Sequence, residues 1–385
     1  MSQIDELIQE LCPDGVLFSS LRDLASLEKG TSITKKDTEL GVVPVIAGGR
    51  QPAYMHDESN RSGQNIVIAG SGAYAGFVSF WTQPIWVSDA FSISADTRLI
   101  VPRFLFHLLR SAQTKIHLMK RGAGVPHVYA KDVGKMLIPR PPLPVQEEIV
   151  RILDTFAELE AELEAELEVR RRQYAYFRDL LLNFPEESEV RWSTLGEICT
   201  KVSSGGTPAS GRSDNYGGDI PWLRTQEVHS VDIWSTGVKI TEVGLRSSSA
   251  KWIPAHCVIV AMYGATAAKV AVNAIPLTTN QACCNLQIDP SQAEYRYVFY
   301  WIANEYDRLR ALGEGSQSNL NAQKVKSYPI PIPPLGEQRR IVSILEKFDA
   351  LANDQSVGLP AEIAARRKQY EYYRDKLLSF EELVA

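Results

Sequence analysis

Half-way along its length the chain begins to repeat itself, and this limits its fold more than any other feature. Ile138-Pro139-Arg140-Pro141-Pro142-Leu143, followed by Gln146, Ile149, Val150, Ile152, Leu153 and Phe156, returns 192 positions later. There it reads Ile330-Pro331-Ile332-Pro333-Pro334-Leu335, followed by Gln338, Ile341, Val342, Ile344, Leu345 and Phe348. Further on the offset becomes 196: Arg170-Arg171-Arg172-Gln173-Tyr174 and Phe177-Arg178-Asp179 reappear as Arg366-Arg367-Lys368-Gln369-Tyr370 and Tyr373-Arg374-Asp375. In 385 residues that period is half the molecule, so the fold is a duplicated unit. Weaker matches at 192 carry the repeat into the intervening segments: Gly72-Ala73 with Gly264-Ala265, Val78 with Val270, and Ala130 and Val133 with Ala322 and Val325. Those segments diverge far more than the repeated ones. Two copies of one frame presenting different surfaces account for the contrast.

The repeated segments read as helices behind proline stops. Pro139, Pro141, Pro142 and Pro144, and again Pro329, Pro331, Pro333 and Pro334, form extended stretches that no helix continues through. After them Ile149, Ile152, Leu153, Phe156, Leu159, Leu163, Leu167, Tyr174, Phe177 and Leu181 recur mostly at spacings of three and four. The second copy offers Ile341, Ile344, Leu345, Phe348, Leu351, Ile363, Tyr370, Tyr373 and Leu377. Each stripe needs a partner, and the two helices are expected to pair with one another as an antiparallel coiled coil. Residues 157–168 read Ala-Glu-Leu-Glu three times, and a helix of about 40 residues spans about 60 Å. One tetrad more or less moves whatever it carries by about 6 Å and turns it by about 40°. A ruler is one reading of that helix; an amphipathic helix with a solvated acidic face is the other. Gly358 and Pro360 are expected to break the second helix.

Between the helices lie two blocks of mixed character, so the fold class is α+β: two tandem recognition-type domains at 1–143 and 187–334, each followed by a spacer helix at 144–186 and 335–385. Short apolar runs (65–68 and 257–260) alternate with Gly-rich turns and one helical segment each, about 102–119 and 295–312. The net charge of −5 argues against a nucleic-acid partner until its distribution is read. Residues 146–189 hold 5 Lys+Arg against 13 Asp+Glu, whereas 1–145 hold 15 against 13 and 190–335 hold 13 against 11. Side chains able to bond phosphates and base edges are candidates for DNA contact. In the first block they are Lys35, Lys36, Arg50, Tyr74, Lys120, Arg121 and His127. In the second they are Thr207, Arg212, Arg224, Thr225, Tyr263, Lys269, Ser316, Gln317, Ser318 and Asn319. For each one singly, solvated surface is the competing reading. The stretches 203–208 and 70–76 are rich in glycine, which serves either a plain turn or a close approach of backbone to phosphate; neither is a Walker loop.

Other classes find little support. Cys12, Cys199, Cys257, Cys283 and Cys284 show no C-x-x-C spacing and the six histidines no H-x-x-x-H pair, so the thiols read as structural and no metal is implied. The acidic start lacks a secretory signal's cationic flank, and no apolar run approaches the ~20 residues of a membrane span; the expected location is the cytoplasm.

The run Ile330-Pro331-Ile332-Pro333-Pro334-Leu335-x-Glu337-Gln338-Arg339-Arg340-Ile341, and the later Arg366 to Leu378, resemble the spacer regions of the specificity subunits of type I restriction-modification systems. The repeated tetrads are similar to that family's length-tuning element. Ser204-Gly205-Gly206-Thr207-Pro208, Tyr216-Gly217-Gly218-Asp219-Ile220-Pro221-Trp222 and Asn280-Gln281-Ala282-Cys283-Cys284-Asn285-Leu286 look like parts of a common target-recognition domain; the first block resembles one only weakly. The resemblance implies a non-catalytic subunit in which each domain reads half of a split, asymmetric site on double-stranded DNA and the helices fix the unread gap. It also implies two methyltransferase subunits docked on the helices, restriction and translocase subunits joining them, and S-adenosylmethionine, ATP and magnesium held only by those partners. Two further readings stand beside it: a restriction enzyme using Asp214, Asp219 and Glu227, and a coiled-coil scaffold that binds only protein.

Overall fold

A computed structural model describes residues 3–36, 40–122, 124–185, 189–313, 319–353 and 357–383. They fall into two compact units, Met1–Ala165 with Glu362–Ala385, and Glu166–Ala361.

In the first unit Ala25–Lys29, Ala90–Ala95, Asn65–Ala69 and Val78–Trp81 form, in that order, an antiparallel sheet. Asn65–Ala69 is buried along its whole length, with the Asn65 amide donating to the Ser62 carbonyl and the apolar residues 66–69 filling both faces. Because side chains alternate across a sheet, Ile66 and Ile68 join Phe104, Leu105 and Leu109 of the helix Pro102–Ser111, while Val67 meets Ile46 and Val87 of a smaller three-stranded sheet. The second unit repeats these layers. Val258 and Val260 face the helix Tyr295–Asn304 through Val298 and Ile302, and Ile259 faces Leu223 and Leu277. Cys283 and Cys284 are fully buried here, and burial pushes both thiols up to about 12.

Each expected single helix is two. Pro102–Ser111 gives way to Gln113–Leu118, and Tyr295–Asn304 to Tyr306–Ala311. Both breaks send a polar side chain into tertiary bonds. The Gln113 amide accepts from the Val78 N–H and donates to the Gly76 carbonyl, while the buried Glu305 carboxylate accepts from the Tyr328 hydroxyl at 2.8 Å.

A two-stranded ribbon closes each block, Leu17–Ser20 against Leu137–Arg140 and Arg191–Thr194 against Pro329–Ile332, in the same register. From each ribbon's second strand the chain turns into a helix. Leu143–Leu181 runs for 39 residues, about 58 Å at 1.5 Å per residue. The second copy runs from Leu335 to Ala352 and resumes at Leu359–Leu377, with Gly358 and Pro360 at the restart. Each helix start packs into its own block. Ile149 and Leu153 sit in the first unit's core, and Ile341 and Leu345 in the second's, without exposed surface for a docking partner. Pairing begins one turn later. In the first unit Phe156 stacks on Tyr373 at 5.4 Å and meets Tyr370 at 6.4 Å, and Arg367 pairs with Glu160 and Glu164, which gives an antiparallel sense. In the second, Phe177 stacks on Phe348 at 5.2 Å, and Tyr174, with Asp349 nearby, is pushed up to about 12 by burial. Leu163 is half-buried on the central helix.

Candidate nucleic-acid interface

In each unit one hairpin, joining Asn65–Ala69 to Val78–Trp81 in the first and Val258–Ala261 to Val270–Asn273 in the second, carries the same set of backbone bonds. In the first, Ala75 N–H donates to the Gly72 carbonyl, Gly76 N–H to Ala69 and Phe77 N–H to Tyr74. In the second, Ala267 donates to Gly264, Ala268 to Ala261 and Lys269 to Thr266. Gly72 and Gly264 take φ of +82° and +79°, which the conformation demands, and Ala268 accepts φ +68° where the first copy has Gly76. The strand-side support is duplicated too: Val128 N–H donates to Gly70 and Leu320 N–H to Met262. A third loop leans on each tip. Gly48 backs on Ser71, and the Thr266 hydroxyl donates to the Thr225 carbonyl at 2.8 Å.

This architecture gathers most of the first block's candidates. The Arg50 guanidinium lies 4.9 Å over the Tyr74 ring, the Lys120 ammonium donates to the Ala73 carbonyl at 3.2 Å, and Arg121 and His127 bridge backbone to backbone beside Ser71. The clustered charge is felt behind the tip: burial first, then Lys120, Arg110 and Arg50, hold the His117 imidazole below its ordinary value. Such a concentration of cations suits phosphate. In the second unit Arg224, Thr225, Tyr263, Lys269 and Asn319 surround the equivalent tip, with the Asn319 amide oxygen accepting from Gly264 N–H at 3.5 Å. Tyr74 and Tyr263 are 45% and 41% exposed, so their rings are open to a base or sugar.

Other candidates stand apart or are engaged. Lys35 and Lys36 are exposed on the segment after strand Ala25–Lys29. Arg212 is tied to Asp214, Arg224 to Glu227 and Arg121 to Asp132. Thr207 donates to Gln281, and Ser316, Gln317 and Ser318 lie outside the described residues. The glycines of 203–208 serve neither phosphate nor a plain turn. A Cβ on Gly205 would overlap the Thr279 carbonyl and one on Gly206 the Ala250 backbone, so both permit backbone packing inside the block. Two exposed residues flanking the tips were not among the candidate contacts, Asp89 and Gln281, which occupy equivalent positions at offset 192 and are held by the Ser71 and Thr207 hydroxyls. The offset alone could have paired them. Of the proposed acidic trio, Asp214 is salt-bridged to Arg212, which lowers its carboxyl, and Glu227 accepts from Gly237 N–H.

Residues 13–169 and 185–365 match the family described as type I restriction modification DNA specificity domain, once for each copy of the repeat. The chain belongs to this family. A type I restriction enzyme specificity subunit of Escherichia coli is 42% identical over 249 residues, covering 63% of this chain and 61% of that protein, so the chain spans about three fifths of that relative. A putative specificity subunit of Haemophilus influenzae is 29% identical over 365 residues, 88% of this chain and 89% of the relative. In fold, the chain resembles the crystal structure of a type I restriction-modification S subunit from M. genitalium, with TM-score 0.64 at 16% identity over 94% of this chain and 96% of the other. Like that architecture, this specificity-family chain is a tandem of α+β blocks with long helices. Among the described residues no helix is long and apolar enough to cross a membrane.

Proposed function

We propose that this chain is the sequence-reading subunit of a type I restriction-modification complex. Each block contacts one half of a split, asymmetric site on double-stranded DNA through its hairpin tip and the loops around it. The observation that carries this reading is the tip itself, which has the same backbone bonds in both copies and different exposed side chains. A constant mount with changed side chains is what two readers of different half-sites require. The helices set the gap and dock two methyltransferase subunits through surface left uncovered by the cores, such as Tyr373 and its neighbours. Restriction and translocase subunits complete the assembly. S-adenosylmethionine, ATP and magnesium belong to those partners, which flip and methylate the target adenines. This chain reads and positions and carries out no chemistry.

The test is adenine methylation mapped by single-molecule sequencing in a host carrying the methyltransferase gene with and without this chain. A split motif should appear only with the chain present. Unchanged methylation with a soluble, active partner would refute the reading. Deleting Ala161-Glu162-Leu163-Glu164 then tests the ruler: the gap should shorten by about one or two base pairs at ~3.4 Å each while both half-sites stay as they were.

A further inference from the structure

Two glutamines that take no part in the reading face occupy the same place in both copies. Gln146 and Gln338, 192 positions apart, stand one turn into their helices and expose no surface at all. In the first unit the Gln146 amide oxygen accepts the Val101 N–H at 2.8 Å, and its nitrogen donates to the carbonyls of Leu99 at 3.2 Å and Pro141 at 2.7 Å. In the second, the Gln338 oxygen accepts the Glu294 N–H at 2.9 Å, and its nitrogen donates to Gln292 at 3.3 Å and Pro333 at 2.8 Å. Val101 and Glu294 cap the main helix of each block. One side chain thus ties three things together: the spacer helix it belongs to, the proline turn before that helix and the N-terminus of the block's own helix.

An apolar side chain would fill either site, since Ile149 and Ile341 pack beside it. Apolar contact is non-directional, whereas hydrogen bonds fix both distance and angle. A buried amide with all its neighbours satisfied therefore specifies one geometry where a greasy contact would tolerate several. Polar contacts reinforce each joint about two turns on: the Arg103 guanidinium and the His107 ring on Asp154, and Arg296 on Glu346, the two acids again 192 apart.

We propose that Gln146 and Gln338 are positioning residues that lock the angle of each recognition block on its spacer helix, and so hold the unread gap to a single length. The inference rests on the reading of the chain as a gap-setting specificity subunit. A swing of about 6° at a joint carrying a head about 35 Å across shifts its far surface by about 3.5 Å, one base-pair step.

Gln146→Met and Gln338→Met keep the volume and remove the amide. Each full-length variant is co-expressed with the methyltransferase and its methylated motif sequenced, with thermal unfolding and hydrogen exchange of residues 99–102 or 292–295 measured alongside. The expected result is a folded protein with faster exchange at Val101 or Glu294, unchanged half-sites, and methylation at the native spacing reduced at least tenfold in favour of neighbouring spacings. A folded variant that keeps one gap at wild-type methylation, whatever its melting temperature, overturns the proposal. Should a Met variant not fold, Gln→Glu at the same position keeps the acceptor and removes the donors, and is judged by the same two outcomes. If the wild type itself gives no split motif, it is the underlying reading that fails; a wild-type motif with unaltered variants refutes the clamp alone.

Discussion

The joints and the tips of this molecule follow opposite rules. At the joints the two copies share residues: Pro141 and Pro333, Gln146 and Gln338, Ile149 and Ile341, Leu153 and Leu345, all at one offset and nearly all buried. At the tips they share the backbone path and a few small residues such as Gly72 and Gly264, while the larger side chains differ. Ser71 corresponds to Tyr263, Tyr74 to Thr266, Phe77 to Lys269 and His127 to Asn319, yet the hydrogen bonds beneath are the same. Side-chain identity is constrained where packing specifies geometry and released where only the main chain holds the loop. A molecule built this way changes what it touches without changing where it holds it.

The comparison can be broken at several strengths. The largest effect is expected in the joints: Leu153→Ala and Leu345→Ala should each lower stability by about 3 kcal/mol, because both remove a fully buried side chain from a packed core. Denaturant unfolding that found one costly and the other neutral would show that the joints are not equivalent. Somewhat smaller, about 2 kcal/mol, is the expected cost of Gly30→Ala and Gly205→Ala, where the new methyl meets the backbone of Val87 and Ser88 or of Thr279. At the tips Gly72→Ala and Gly264→Ala meet open space and bear only the strain of positive φ, about 1 kcal/mol each. A larger loss there would mean that the tips are part of the frame.

One joint carries a titrating group that the other lacks. His107 is buried against Asp154, and Phe299 stands at its equivalent position. Desolvation outweighs the Asp154 carboxylate and holds the imidazole below its ordinary 6.5. The unfolded chain therefore takes up this proton at higher pH than the folded block does. The stability from neutral His107 is complete above pH 6.5 and is lost as pH falls below it. His107→Phe should flatten that acid limb of the unfolding midpoint, and an unaltered limb would place the sensitivity elsewhere. The smallest cost in stability, about 0.5 kcal/mol or less, belongs to His127→Asn, which gives the first tip the second tip's residue. It should nevertheless alter the methylated sequence in one half-site only; a change in both halves would end the division between reader and frame.

What the sequence made legible follows the same division. The proline turns, the helix stripes and the break at Gly358 and Pro360 were readable because they depend on local periodicity and on residues repeated at a constant offset. The first strands of each block were not. Leu17 corresponds to Arg191 at an offset of 174 and Ile46 to Leu223 at 177, and only after the longer second-copy segment between Leu223 and Val258 does the offset settle at 192. A comparison at one spacing passes over these early strands. The tips were hidden for another reason, since bonds between backbone atoms leave no side-chain signature, and Gly76 and Ala268 fill the same bend. The ion pair of Arg121 with Asp132 likewise depends on where separate segments come to rest, whereas those of Arg212 with Asp214 and Arg224 with Glu227 join near neighbours in sequence.

The closing ribbons have a consequence for inheritance. Because Leu17–Ser20 lies beside Leu137–Arg140 and Arg191–Thr194 beside Pro329–Ile332 in one register, the chain enters and leaves each block at neighbouring points. Everything between those points is a cassette with a standard fitting. A recombination event that trades the stretch from one ribbon strand to the next would deliver a foreign block already seated, and new combinations of half-sites would arise by shuffling whole cassettes as well as by point substitution.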